Sequence, residues 1–187
     1  MQSLMQRTVA DAGRAAGIIR RIRSMAGGGV PERAPTQLNE IIEEAMLFLR
    51  HELQRQQVDS RLRLDADLPE LTADRIQLQQ VVVNLAMNAI QAMAEAGVSE
   101  RRLTVRTSSR DGEARVDVED TGPGLSADQA ARVFESFFTT KSGGLGVGLA
   151  ICRSIIDAHG GRIDGANGPE GGARFTFTLP IGPQAIA

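Results

Sequence analysis

Apolar positions along the chain follow two periods, and together these outline most of the elements. Over residues 1–26 they recur at alternating steps of four and three, at Met5, Val9, Ala12, Ala16 and Ile19. Ile18, Ile22 and Met25 widen that stripe into the seam of a bundle helix. A lone helix of this length is marginal in water, so the seam predicts packing against partners outside the chain. The other reading is an ordinary core helix of the domain that follows. Arg20, Arg21 and Arg23 form a solvated face, Gly27-Gly28-Gly29 ends the helix, and Pro31 and Pro35 mark a hinge. A second helix carries Ile41, Ile42, Ala45, Met46 and Leu49 on one side, with Asn39 as its cap and Glu40 in its first turn. A third opens at Asp74-x-x-Gln77, which has the form of a capping box. Leu78, Val81, Val82, Leu85, Ala89 and Met93 make its buried stripe, and Gly97 stops it. Ser126-x-x-Gln129 caps a shorter helix. Residues 149–158 form the last one, which closes at His159-Gly160-Gly161.

Period two marks the strands. Residues 61–64 alternate with Leu62 and Leu64 inward. Residues 103–107 and 115–119 alternate on either side of Asp111-Gly112, a hairpin signal. The last strand, 174–179, points Phe175, Phe177 and Leu179 inward. No internal repeat is visible. Two hairpin-like strand pairs and three longer helices predict an α+β fold, a two-layer sandwich of a mixed sheet with helices on one face, preceded by one bundle helix.

Composition narrows the function more than the fold. At 42% hydrophobic and 24% charged residues, the chain reads as a soluble domain. No apolar run approaches the roughly 20 residues that span a bilayer, and no signal-peptide pattern opens the sequence. A formal charge of -2 argues against nucleic acid as the main partner. Cys152 is the single cysteine, which excludes an internal disulfide and points to a reducing cytoplasm. No His/Cys/Asp cluster has zinc-site spacing.

Three segments carry candidate chemistry. The glycine run GGLGVGLA at residues 143–150 leads straight into an apolar helix. Alternate glycines let backbone approach a ligand, and a helix N-terminus receives phosphate. The run reads equally as a surface turn. It matches neither the dinucleotide fingerprint, whose third glycine comes one position later, nor the P-loop, which needs glycine directly before Lys-Ser/Thr, where Thr140 stands. Gln80, Asn84 and Asn88 share one face of the long helix. They are surface amides or a row of hard carbonyl oxygens suited to Mg²⁺ and its waters. Asp120-Thr121-Gly122-Pro123-Gly124-Leu125 follows a strand whose parity turns Asp120 inward. A buried carboxylate needs a partner. Either it caps its own turn or it accepts from a ligand amine. Between these lies FESFFTTK, residues 134–141, with phenylalanines suited to a core.

In this order the segments resemble the GHKL ATP-binding fold, and specifically the catalytic domain of sensor histidine kinases. QLQQVVVNLAMNAIQAM is similar to the N box, VEDTGPGL to the G1 box, FESFFTTK to the F box, GLGVGLAI to the G2 box and GGARFTFTLP to the closing strand. The resemblance covers residues 34–183. NAIQAM, FFTTK and a short lid resemble the nitrogen-regulation and oxygen-sensing (NtrB/FixL-like) branch, and residues 1–30 resemble part of that family's dimerisation domain, its second helix. The resemblance implies ATP and Mg²⁺ as ligands, with Asn88 on the metal and Asn84 supporting the phosphates. Asp120 would accept from the adenine amine, and Gly122 and Gly124 would shape the base pocket. Gly144, Leu145, Gly146, Val147, Gly148 and Leu149 would form the lid hinge and the phosphate-receiving turn, bordered by Thr140 and Lys141. Thr176 would be a polar wall near adenine. It further implies a cytoplasmic kinase that is a homodimer through its bundle and hands phosphate to a response regulator.

The chain departs from the family at Gln91 and Ala92, where Lys and an aromatic residue are common, at Ser136 in place of Pro, and at Ala173-Arg174 in place of threonines. The phosphoacceptor box, His then Glu or Asp then Pro, is missing. His51-Glu52-Leu53 imitates its start with no Pro after it, and His159 ends a helix, where a cation favours the dipole. The chain thus reads as a kinase catalytic half, inactive in autophosphorylation without an acceptor helix. The alternative is a non-catalytic ATP-sensing or scaffold module. A chaperone-type GHKL ATPase is disfavoured, because its water-activating Glu would fall at Asn84, which cannot act as a base.

Overall fold

The computed structural model describes residues 33–139, 145–169 and 171–182. The expected bundle helix over residues 1–26 lies outside them. Strand β1 (Ala34–Thr36) leads into α1 (Leu38–Phe48) and α2 (Arg50–Arg55), then β2 (Asp59–Arg63) and β3 (Leu71–Ala73). The long helix α3 (Arg75–Glu95) follows, then β4 (Arg102–Arg110), β5 (Glu113–Asp120) and α4 (Ala127–Arg132). Helix α5 (Gly148–Ala158), β6 (Arg162–Asn167) and β7 (Ala173–Pro180) complete the order. Five strands form one sheet in the order β2-β4-β5-β7-β6, and β1 pairs with β3 in a separate two-stranded ribbon. Only the β2–β4 pairing in the large sheet is parallel. Helices α3 and α5 pack on one face of it. The fold is the expected mixed α+β sandwich.

Alternation assigns the two faces of the sheet. Leu103, Val105, Val116, Val118, Phe175, Phe177 and Leu179 are buried beneath the helices. Their alternates, including Arg102, Arg106, Asp117, Glu119, Arg174 and Thr176, belong to the opposite, outer face. The hairpin turns at Asp111 and Gly112, both with positive φ (53° and 78°), as a two-residue loop requires. The α3 stripe is buried as expected, with Ala86 and Ile90 added to it. Ser126 and Gln129 close a reciprocal capping box on α4.

Three local expectations are corrected. Asn39 does not cap α1, whose N-cap is Gln37, two residues earlier. Its side chain instead ties elements together: Nδ2 donates to the Asp65 carbonyl at 2.8 Å, and Oδ1 accepts from the Thr107 hydroxyl at 3.0 Å. Leu62 does not point into the core but is 40% exposed, because β2 is an edge strand exposed along its whole length. At Asp74 only half of the capping box forms. The carboxylate accepts from the Ile76 and Gln77 amides, both at 3.0 Å, whereas the Asp74 amide donates to His159 Nε2 at 3.0 Å rather than to Gln77.

That bond also overturns the expected role of His159. The ring is 1% exposed, with Nδ1 against the Ile155 carbonyl at 2.8 Å. Burial is the main cause that holds its pKa below the ordinary value, so the neutral form is favoured and no cation faces the helix dipole. With Nε2 accepting, the proton sits on Nδ1 and donates to Ile155. His159 is therefore a neutral clasp between the start of α3 and the end of α5. His51 is exposed on α2.

Candidate nucleotide site

Of the five helix starts among the described residues, two carry a side-chain cap and three, that of α5 included, do not. Asp74 caps α3 and Ser126 caps α4, but α5 has Val147 at its N-cap and no side-chain cap. Its first amides point out of the helix end as donors, on the positive end of the dipole. The glycines leading in have different reasons to be glycine. Gly146 has φ +65°, and a Cβ there would lie 2.5 Å from the Phe138 carbonyl oxygen. Its backbone carbonyl accepts from the Phe137 amide at 2.9 Å, so this residue is required by the protein's own packing. At Gly148 a Cβ would meet nothing within 4 Å. The packing leaves open space at the helix start, where a ligand can approach.

The amide row of α3 stands beside this end. Cys152, one turn into α5, is buried with its thiol against the Asn84 side chain, and burial pushes its pKa up to about 12. That contact brings Asn84 to the α5 surface, with Asn88 one turn, about 6 Å, further along α3. Gln80, Asn84 and Asn88 are half-buried. They are thus neither core nor fully solvated, and their amide oxygens are hard donors of the kind Mg²⁺ accepts alongside water and phosphate. Among the described residues no group of three His, Cys, Asp or Glu could hold a metal.

Asp120 is buried, at 6% exposure, as strand parity predicts. Its Oδ1 accepts from the Gly122 amide at 2.7 Å and the Ala173 amide at 3.2 Å. The carboxylate therefore does cap its own turn. A carboxylate offers about four lone-pair positions, so it can serve its own turn and other donors at once. Gly122 fits closely, since a Cβ would lie 2.8 Å from Asp120 Oδ1 and 3.4 Å from Met93 on α3. Gly124, with φ +76°, lies in a loop held by Asn167, which accepts from the Leu125 amide at 2.6 Å and donates to its carbonyl at 3.0 Å.

The other expected site residues divide. Thr176 is not brought to Asp120. It pairs with Asp117 across β5 and β7, on the outer face, and its hydroxyl donates to the Asp117 carboxylate. The β7 position that shares Asp120's side is Ala173, whose amide bonds it. Val147 is a core residue at 5% exposure, Leu149 is half-buried against the core, and Leu145 is 45% exposed. Thr140, Lys141 and Gly144 lie outside the described residues. Sequence reasoning missed Gly172, where any Cβ would collide with the Asp120 carbonyl, and Asn167. The Gly171-Gly172 pair was the visible signal for the first.

Residues 73–183 match the family described as histidine kinase-, DNA gyrase B-, and HSP90-like ATPase. The sensor protein FixL of Bradyrhizobium diazoefficiens is 43% identical over 98% of this chain, and the sensor protein TdiS of Thauera aromatica is 40% identical over 88%. The chain spans 36% and 30% of those relatives' lengths. The nucleotide-free catalytic domain of histidine kinase ThkA superposes with a TM-score of 0.72 at 33% identity, covering 80% of this chain and 95% of that one. Full-length ShkA in complex with AMPPNP gives 0.77 at 26% identity, covering 97% and 40%. ThkA in complex with the response regulator TrrA gives 0.77 at 30%, covering 94% and 49%. Fold, motif order and relatives agree, and the chain belongs to the histidine kinase-, DNA gyrase B- and HSP90-like ATPase family, among the sensor histidine kinases.

Proposed function

We propose that residues 34–183 are the ATP-binding catalytic domain of a two-component sensor kinase, and that residues 1–30 are part of its dimerisation bundle. The domain passes the terminal phosphate of ATP to a histidine supplied from outside this sequence. The observation that carries this reading is the uncapped start of α5, with open space at Gly148 and the amide row of α3 beside it. Asp120 accepts from the adenine amine, Gly122 and Gly124 admit the base, and the α5 amides receive the phosphates. Asn84 supports the phosphates, and Asn88 turns its side-chain oxygen to Mg²⁺. Bound there, Mg²⁺ offsets the negative charge of the phosphates. Lys141 and Thr140 border the lid over them. An imidazole nitrogen of the acceptor attacks the terminal phosphorus and ADP leaves, so the domain's work is positioning and electrostatics. Neither of the chain's own histidines is the acceptor: His159 is buried in its clasp, and His51 lies on α2, within the sandwich and not on a bundle helix. The chain alone is accordingly inactive in autophosphorylation. In the intact kinase the bundle forms the homodimer, a response regulator receives the phosphate, and the reaction takes place in the cytoplasm.

The test is calorimetry of nucleotide binding. Asn88→Ala should lose the Mg²⁺-dependent part of the ATP affinity while its melting temperature stays near that of the wild type. Equal Mg-ATP affinity in both proteins would remove Asn88 from the site.

A further inference from the structure

The loop that follows β5 is pinned at both ends by one hairpin. At its start, the Ala173 amide of β7 donates to Asp120 Oδ1 at 3.2 Å. At its far end, Asn167 of β6 reaches Leu125: Oδ1 accepts from the Leu125 amide at 2.6 Å, and Nδ2 donates to the Leu125 carbonyl at 3.0 Å. Asn167 and Ala173 are themselves cross-strand partners, the last pair of the β6–β7 ladder. A single rung of the sheet therefore grips two points that lie 53 and 42 residues earlier in the chain. Between those points stand Gly122 and Gly124, the two residues that admit the base in the proposed function.

The chemistry of the clamp requires asparagine. A backbone N–H can only donate, so Oδ1 must face the Leu125 amide, and Nδ2 then faces the carbonyl. The side chain thus repeats the two-way exchange of an antiparallel strand pair. Among side chains of this length only asparagine offers an acceptor and a donor on one planar fork; aspartate would set a carboxylate oxygen against the Leu125 carbonyl. The fit around the clamp is close. A Cβ on Gly124 would lie 2.8 Å from Asn167 Oδ1, and one on Gly172 would collide with the Asp120 carbonyl oxygen. The Gly168 amide donates to the Gly172 carbonyl at 3.0 Å, which closes the hairpin beyond Asn167 and Ala173. After Leu125 the chain enters the capping box of Ser126 and Gln129, so the loop is fixed on both sides of Gly124. Asn167 itself is exposed and adds nothing to the core. What it holds in place is the loop.

We infer that Asn167 is a positioning residue for base selectivity. By clamping Leu125 it sets the Gly122–Gly124 backbone against the Asp120 carboxylate, so that a purine with an exocyclic amine is preferred to one with a carbonyl in that place. The inference rests on the proposed role of Asp120 in accepting from the adenine amine. The test compares the calorimetric affinities of the full chain for Mg-ATP and for the magnesium complex of inosine triphosphate, which carries a carbonyl where adenine has its amine. The wild type should prefer ATP. In Asn167→Ala the affinity for ATP should fall by about tenfold while that for inosine triphosphate changes little, so the preference shrinks. Asn167→Asp keeps the acceptor but loses the donor, and it should shrink the preference too. A merely structural role would lower both affinities together and leave their ratio untouched. A wild-type ratio in either variant therefore overturns the proposal. Equal affinity of the wild type for the two nucleotides would instead remove Asp120 from base recognition, and this inference with it.

Discussion

Two glycines separated by one residue should respond to alanine in opposite ways. At Gly148 the added methyl meets nothing within 4 Å, φ is not in the left-handed region, and the residue opens a helix. Removing glycine from such a position stabilises by about 0.4–1 kcal/mol, mainly by restricting the unfolded chain. For a protein of this size that raises the melting temperature by about 1–4 °C. The same methyl stands where phosphate must approach the α5 amides, so Mg-ATP affinity should fall more than about tenfold, a loss exceeding roughly 1.4 kcal/mol. At Gly146 the left-handed φ costs an L-residue about 1–2 kcal/mol, before the clash at 2.5 Å with the Phe138 carbonyl is added. Gly146→Ala should therefore lower the melting temperature by several degrees, roughly 2–4 °C per kcal/mol. Thermal melts and calorimetry on both variants read the two effects separately. Unchanged ATP affinity in Gly148→Ala, or destabilisation of it as large as that of Gly146→Ala, would refute the claim that position 148 is reserved for a ligand.

The clasp at His159 gives a pH signature. Burial lowers its folded pKa below the unfolded value of about 6.5, so above that pH both states are neutral and its contribution is complete. As the pH falls below about 6.5 the unfolded state takes up the proton first, and stability drains away until the folded pKa is passed. His159→Gln, which cannot titrate, should flatten that part of the stability curve in denaturant melts at stepped pH; parallel acid losses in the two proteins would contradict the clasp. Lys141 is the only lysine in the chain, and on the proposed reading it should serve the terminal phosphate. Lys141→Ala should then weaken ATP more than ADP, and equal losses would make it a surface residue.

Legibility in the sequence followed from how local each signal is. Helix α3 was readable because a 21-residue stripe and its cap are all local, and the β4–β5 turn because Asp-Gly dictates its geometry. Strand parity also carried Asp120 into the interior correctly. The same parity, applied to β7, would have sent Thr176 to the outer face with its neighbours Arg174 and Thr178. The family resemblance was followed there instead. Strands β1 and β3 escaped because each has three residues and their pairing joins positions 34–36 to 71–73, a contact no local pattern encodes. Strand β6 offers one buried apolar residue, Ile163, too few to show a period. Leu62 misled because an edge strand exposed along its whole length has no inward face to read. The dual bonding of Asp120 Oδ1 depends on Ala173, 53 residues away, and so became visible only once β5 and β7 were paired.

The central claim is phosphoryl transfer to a histidine that this chain does not supply. The measurement is incubation with γ-labelled Mg-ATP, alone and with a separate bundle protein carrying a His-Glu acceptor helix, followed by acid and base treatment of the products. The account predicts no label on the chain alone and an acid-labile, base-stable phosphohistidine on the added helix. Met5→Lys or Ile19→Lys, each placing a charge in the expected seam, should abolish that transfer while ATP binding survives. Strong labelling of the chain by itself, lost on His51→Gln, would contradict the account and make His51 the acceptor.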